Sequence, residues 1–268
     1  MNGITATKVT GATGRTHVAG PLRWDTWWVE PTLVVTGLGA FILYSTWAAL
    51  QNAHYYAAPY LSPFYSPCVS TDCQHVTLPL LGPMPAFPVV GVLSPAFVIL
   101  WVPALFRLTC YYYRKAYYRS FWGAPPACAV PDVRSGYTGE TSFPLVFQNV
   151  HRYAFYLAVV LIVFLGYDAI LAFRFPDGFG IGVGTLVMVA NVVLLACYTF
   201  SCHSCRHLCG GHLDAFSRAP GRFGLWYAVT QLNQHHPAFA WLSLISVGLT
   251  DLYIRLASMG VIRDLRLV

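Results

Sequence analysis

Apolar residues dominate five windows of the chain, 31–50, 86–108, 153–173, 179–200 and 238–258, and between them the sequence turns polar, aromatic or proline-rich. Each window is long enough to cross a hydrocarbon layer of about 30 Å, which takes roughly 20 helical residues. In lipid the backbone must satisfy its own hydrogen bonds, and a helix does so within one segment. The pattern predicts an all-α integral membrane bundle of five transmembrane helices. A segment 1–30 precedes the transmembrane domain 31–258, and a tail 259–268 follows it. Residues 1–28 lack the basic-then-apolar order of a cleavable signal, so the first span is expected to be retained.

Composition agrees with this class. Hydrophobic residues make up 56% of the chain and charged residues only 10%, and the mean hydropathy is +0.54, well above a soluble domain. The basic residues then orient the bundle. Lys8, Arg15 and Arg23, the segment holding Arg107, Arg114, Lys115, Arg119, Arg134 and Arg152, and the loop holding Arg206, Arg218 and Arg222 all fall on one side. The other side has only Arg174, Arg255, Arg263 and Arg266. The positive-inside rule places the N-terminus and the basic loops in the cytoplasm and the C-terminus outside, as in a multi-pass plasma-membrane protein. The net charge of +6 is thus an orientation signal, and nothing points to nucleic acid. Arg114, Lys115, Arg119, Arg134 and Arg206 offer a docking surface for a partner, or anchor to lipid headgroups.

Candidate chemistry gathers on the basic side. Residues 202–209 read CHSCRHLC where the fourth window ends, and Cys110, Cys128, His151, His235 and His236 share that side. In a reducing compartment such cysteines are metal ligands or buried thiols more often than disulfides. If the fourth helix continues through this stretch, at about 100° per residue Cys205 and Cys209 fall within about 60° of Cys202, with His203 and His207 on an adjacent face at about 100° and 140°. The helix should stop at Gly210–Gly211. Thiols on one face and imidazoles on another would suit a metal or redox centre completed by other helices. The plain alternatives are cysteines that only pack, a structural zinc site in a non-redox protein, or a haem b held by two of His151, His203, His207 and His236.

The opposite side carries residues 55–68, rich in proline and tyrosine and free of charge. Such a stretch should lie against the membrane or dip into the bundle, where irregular backbone must be covered by protein. Tyr60, Ser62, Tyr65 and Ser66 suit a quinone ring, or form a packed hydrophobic lid. Asp168 and Asp251 lie late in the third and fifth windows, and intramembrane carboxylates are costly enough to be functional as a rule. Cys68 and Cys73 leave a disulfide open.

Four strings, YLSPFYSPC (60–68), CYYYRKAYYRSFW (110–122), PPACAV (125–130) and SCHSCRHLCGG (201–211), together resemble the single membrane-anchor subunit of actinobacterial succinate dehydrogenase, the mycobacterial-type respiratory complex II. The resemblance implies a flavoprotein partner that oxidises succinate, an iron–sulfur partner, and quinone (menaquinone or ubiquinone) as acceptor. It also implies a Rieske-type [2Fe–2S] cluster within the membrane. No succinate chemistry, and no catalytic residue, is then expected in this chain. On that reading the thiolate candidates are Cys110, Cys128 and Cys202, with Cys205 and Cys209 second. The imidazole candidates are His151, His203 and His207. The quinone candidates are Tyr60, Ser62, Tyr65, Ser66 and Asp251.

Overall fold

Among the described residues, four unbroken apolar helices and one broken span make up the bundle. The computed structural model describes residues 25–73, 80–87, 91–131, 146, 150–211 and 213–268; Arg134 and the N-terminal tail to residue 24 lie outside them. Helix α1 (Val29–Gln51) is followed by a two-residue hairpin, β1 (Tyr56–Ala57) against β2 (Tyr60–Leu61), and a 3-10 turn at Pro63–Tyr65. A second hairpin pairs β3 (Ala86–Phe87) with β4 (Gly91–Val92). Helices α2 (Ala96–Thr109) and α3 (Tyr111–Tyr117) then meet at an 80° bend. Helix α4 (His151–Leu171) leads through the hairpin β5–β6 (Arg174–Phe175 with Gly178–Phe179) into α5 (Val183–Phe200). Two shorter helices, α6 (His203–Gly210) and α7 (Pro220–Gln234), precede α8 (His236–Ser258).

Two window boundaries move, for identifiable reasons. The second helix starts at Ala96 instead of residue 86, because Ala86–Phe87 pairs back on Gly91–Val92 with Gly91 at φ +73°, and Pro95 stands at the helix start. The fourth starts at Val183 instead of 179, because residues 174–179 turn back on themselves with Gly178 at φ +126°. The chain also does not run as one helix from the fourth window through the Cys/His cluster. Phe200 ends α5, and Cys202 is extended (ψ 145°) before α6 begins.

Helix α5 packs most broadly against α8, with α4 against α5 and α2 against α4. One end of the bundle is filled by Phe106, Tyr113, Phe155, Tyr198, Leu244 and their neighbours. The other is filled by the irregular segment itself, whose residues Tyr60 to Ser70 are all buried. Its Tyr65 ring stacks on Tyr55 at 4.0 Å beside Ala48, Ala49 and Ala96, small residues that let the backbones approach. The segment therefore dips into the bundle as a plug, and Cys68 and Cys73 form a disulfide within it.

A buried ion pair holds this plug. Asp251 and Arg255 are both fully buried and 3.3 Å apart on successive turns of α8. Asp251 also accepts hydrogen bonds from Tyr44 at 2.6 Å and from Ser62 of the plug. Arg255 donates to Gln51 Oε1 and to the Ala53 carbonyl, each at 2.8 Å, and to Ala48 at 3.3 Å. Asp168 on α4 accepts from Ser66. These carboxylates thus fasten irregular backbone to α1, α4 and α8. Removing one partner of such a pair leaves a buried charge uncompensated, which costs about 3–5 kcal/mol. Asp251→Ala is expected to destabilise the protein by that amount in detergent unfolding, and a change below about 1 kcal/mol would contradict the clamp.

Candidate metal centre

Four helix ends meet at the basic side of the bundle, and each contributes one thiol or imidazole side chain. Cys110 sits at the bend between α2 and α3, and Cys202 at the break between α5 and α6. His151 and His236 are the first residues of α4 and α8. All four are buried, at 2%, 1%, 7% and 8% exposure respectively. The Cys202 sulfur lies 3.0 Å from His151 Nε2, and the Cys110 sulfur 3.3 Å from His236 Nε2.

Neighbouring hydroxyl groups decide which ring nitrogen faces the sulfur. Thr109 Oγ1 gives its one proton to the Leu105 carbonyl at 2.7 Å, so it accepts at its 2.7 Å contact with His151 Nδ1. Ser201 Oγ likewise donates to the Tyr198 carbonyl at 3.0 Å and accepts from His236 Nδ1 at 2.7 Å. Both Nδ1 atoms must carry the hydrogen. Both Nε2 lone pairs therefore point at thiols, which is how metal-bound histidines are commonly oriented by an outer partner.

The same short pattern builds both halves. Phe106-Arg-Leu-Thr-Cys110 and Tyr198-Thr-Phe-Ser-Cys202 each place an aromatic ring four residues before a cysteine and a hydroxyl one residue before it. On a helix the first and the last but one of these positions lie on neighbouring faces. Phe106 stacks on His151 at 5.0 Å and 3°, and Tyr198 on His236 at 5.1 Å and 19°. Each helix end thus grips one imidazole by ring and hydroxyl, and extends its cysteine to the other imidazole. The two halves are crossed and mutually dependent.

Electrostatics suit metal loading with proton release. Burial pushes the Cys202 thiol up to about 11, so without metal it keeps a proton to donate to His151. The backbone N–H of Ser204 contacts the same sulfur at 3.4 Å, a bond that favours the thiolate a metal requires. The Cys110 and Cys202 sulfurs lie close enough to interact with each other, as do the two rings. Among the described residues, no three His, Cys, Asp or Glu side chains close around a single ion. The four side chains instead form two Cys–His pairs, and two thiols with two imidazoles are the donor types that a Rieske-type centre would require.

The remaining candidates stand elsewhere. Cys128 is exposed. His203 and His207 are exposed on α6 with rings 6.5 Å apart, and Arg152 donates to His207 Nδ1 at 2.7 Å. Cys205 is buried beside Cys202, its thiol pushed up to about 12 by burial and by Cys209. On α6 the cysteines are thus less exposed than the histidines, but Cys202 lies before this helix and does not share its face. His236, Thr109 and Ser201 were absent from the expected ligand set; the repeated aromatic-x-x-hydroxyl-Cys pattern was the signal for the hydroxyls. Among the plug residues, Tyr60 donates to Asp264 at 2.5 Å, Tyr65 to Ala48 at 3.2 Å, and Ser62 and Ser66 to the carboxylates above. Arg114 lies over the Tyr111 and Tyr118 rings, and Arg206 over Trp226 while donating to Thr230 at 3.1 Å. Lys115 is exposed and Arg119 half-buried.

An apolar cavity of about 590 Å³ lies between α1, α2 and α3, lined by Leu38, Trp101, Ala104, Arg107, Tyr113 and Trp122 among others. A smaller one of about 160 Å³ shares Ala104 and Arg107 and reaches Ser66 of the plug.

The family described as actinobacterial succinate dehydrogenase subunit SdhC matches residues 29–260. A chain of the Mycobacterium smegmatis Sdh1 complex in the apo form is similar at 47% identity and a TM-score of 0.87, covering 98% of this chain and 100% of that one. Comparison with curated proteins gave no match.

Thr109→Val removes the acceptor for His151 Nδ1–H and leaves a buried donor unsatisfied, at a cost of about 1–3 kcal/mol. Denaturation of the purified protein is expected to register that loss, with Thr109→Ser near wild type. Equal stability of all three would contradict the tautomer assignment.

Proposed function

The chain belongs to the actinobacterial succinate dehydrogenase SdhC family, and from that premise we propose that Cys110, Cys202, His151 and His236 hold a Rieske-type [2Fe–2S] cluster at the cytoplasmic boundary of the membrane. The observation that carries the reading is the pair of Nε2 lone pairs aimed at two thiols from four different helices. When bound, such a cluster supplies one-electron transfer between an iron–sulfur partner and quinone, at a potential raised by replacing two thiolates with imidazoles. Succinate itself is oxidised in a flavoprotein partner.

The chain's own residues do the holding and shielding. Thr109 and Ser201 retain the Nδ1 hydrogens, so the rings cannot flip to the other tautomer. Phe106 and Tyr198 cover the ring faces and keep water away. Both cysteines release their thiol protons on loading, so metal affinity rises with pH. Quinone enters the 590 Å³ cavity from lipid, since its apolar walls suit an isoprenoid tail and its size lies in the usual range for such ligands. Arg107 lines that cavity and has more N–H groups than the three bonds it makes, leaving donors for a carbonyl oxygen. This favours the cavity over the plug, whose hydroxyls are engaged internally. Arg114, Lys115, Arg119 and Arg206 dock the iron–sulfur partner on the same side.

The test is chemical analysis of the intact complex purified from membranes. Iron, acid-labile sulfide and an EPR signal of low average g are expected, each lost in Cys110→Ser, Cys202→Ser, His151→Ala and His236→Ala. They should persist in Cys128→Ser and in the double variant His203→Ala, His207→Ala. Zinc without iron, or a sharp Soret band without acid-labile sulfide, would overturn the proposal.

A further inference from the structure

The two crossed halves are alike in pattern, and two of the positions at which they differ meet. Where one half has Phe106 and Arg107, the other has Tyr198 and Thr199. The Arg107 guanidinium carbon lies 4.6 Å from the centroid of the Tyr198 ring and 5.4 Å from that of Tyr113. Its N–H groups donate to the Tyr113 hydroxyl, to the Ala240 carbonyl at 3.1 Å and to Ser243 at 2.9 Å. These partners are all neutral. Among the described residues the carboxylate ion pairs are Arg255–Asp251 and Arg266–Asp177, and Arg107 has none. A cation in an apolar span without a counter-charge is costly, so its retention calls for an anion.

The proposed centre would place anionic charge at the Cys110 sulfur, which lies within electrostatic reach of Arg107. Tyr198 touches Arg107 with its ring and stacks on His236, so the guanidinium is one ring removed from that imidazole. Arg107 is also one helical turn before Cys110, whose backbone N–H bonds to the Arg107 carbonyl at 3.2 Å. Arg107 and the buried Tyr198 hydroxyl both interact with the Cys110 sulfur.

We infer that Arg107 is a positioning residue that sets the reduction potential of the proposed centre. This rests on the cluster reading above. Reduction adds one electron, supplied by the iron–sulfur partner or by dithionite in a titration, and so adds one negative charge to the site. Arg107 cannot lose its proton. Its charge therefore stabilises the reduced state in a medium of low dielectric, where such effects are strong. No bond is made or broken at Arg107. A residue that merely tied α2 to α8 through Ala240 and Ser243 would leave the potential unchanged.

The test is a redox titration of the quinone-depleted complex, followed by the EPR signal of the reduced centre. Arg107→Gln is expected to shift the reduction equilibrium roughly tenfold towards the oxidised form, about 59 mV for a one-electron couple. Arg107→Lys should restore most of that shift. Should Arg107→Gln fail to assemble, Ser243→Asp neutralises the guanidinium in place and is expected to move the potential the same way, with Ser243→Asn as the uncharged control. Unchanged potentials in Arg107→Gln or Ser243→Asp, or an equal shift in Arg107→Lys, would overturn the inference. A wild-type complex with no such signal would instead overturn the cluster reading on which it rests.

Discussion

Two hydrogen bonds, from His151 Nδ1 to Thr109 and from His236 Nδ1 to Ser201, govern what the rest of the basic end can do. Each hydroxyl has already spent its proton on a helical carbonyl. Each imidazole is thereby left with one possible tautomer, and its free nitrogen faces a cysteine. Two thiols and two imidazoles from four helices come together in crossed pairs because those two acceptors are fixed by helix geometry. Breaking one bond frees one ring and strands the cysteine of the opposite half.

The fold around this end follows from what a membrane allows. Backbone without a helical partner is tolerated in lipid only when protein covers it. The breaks at Cys110 and Cys202 expose such backbone, and both lie inside the aromatic cluster formed by Phe106, Tyr113 and Tyr198. At the far end the plug at 60–70 meets the same requirement, with Asp251, Arg255 and Asp168 bonding its serines and flanking carbonyls. These intramembrane charges serve structure. Arg107 differs from them in having neutral partners only, and it lies beside the sulfurs and the apolar cavity together.

Much of this was legible in the sequence. The five apolar windows marked the four unbroken helices and the broken span among the described residues, and the crowding of Cys and His at one boundary pointed to the end where Cys110, Cys202, His151 and His236 meet. The lack of charge in residues 55–68 left two places for them, against the membrane or within the bundle, and the burial of 60–70 decides for the second. Helical phase at 202–209 was less informative, because Cys202 lies in a break between α5 and α6, where phase is lost. His236 was hard to choose because it follows His235 and begins a helix whose tilt the sequence does not fix. The boundary at Ala96 was hidden by apolar residues that the β3–β4 hairpin keeps out of the helix. The crossed pairing needed three dimensions, since Thr109 and Cys110 are neighbours yet serve different imidazoles.

The claim that both imidazoles and both thiols belong to a single centre has a direct spectroscopic test. Pulsed EPR of the reduced, ¹⁵N-histidine-labelled complex should reveal two strongly coupled histidine nitrogens on one paramagnetic centre. The coupling of one nitrogen, or of none, would contradict the account.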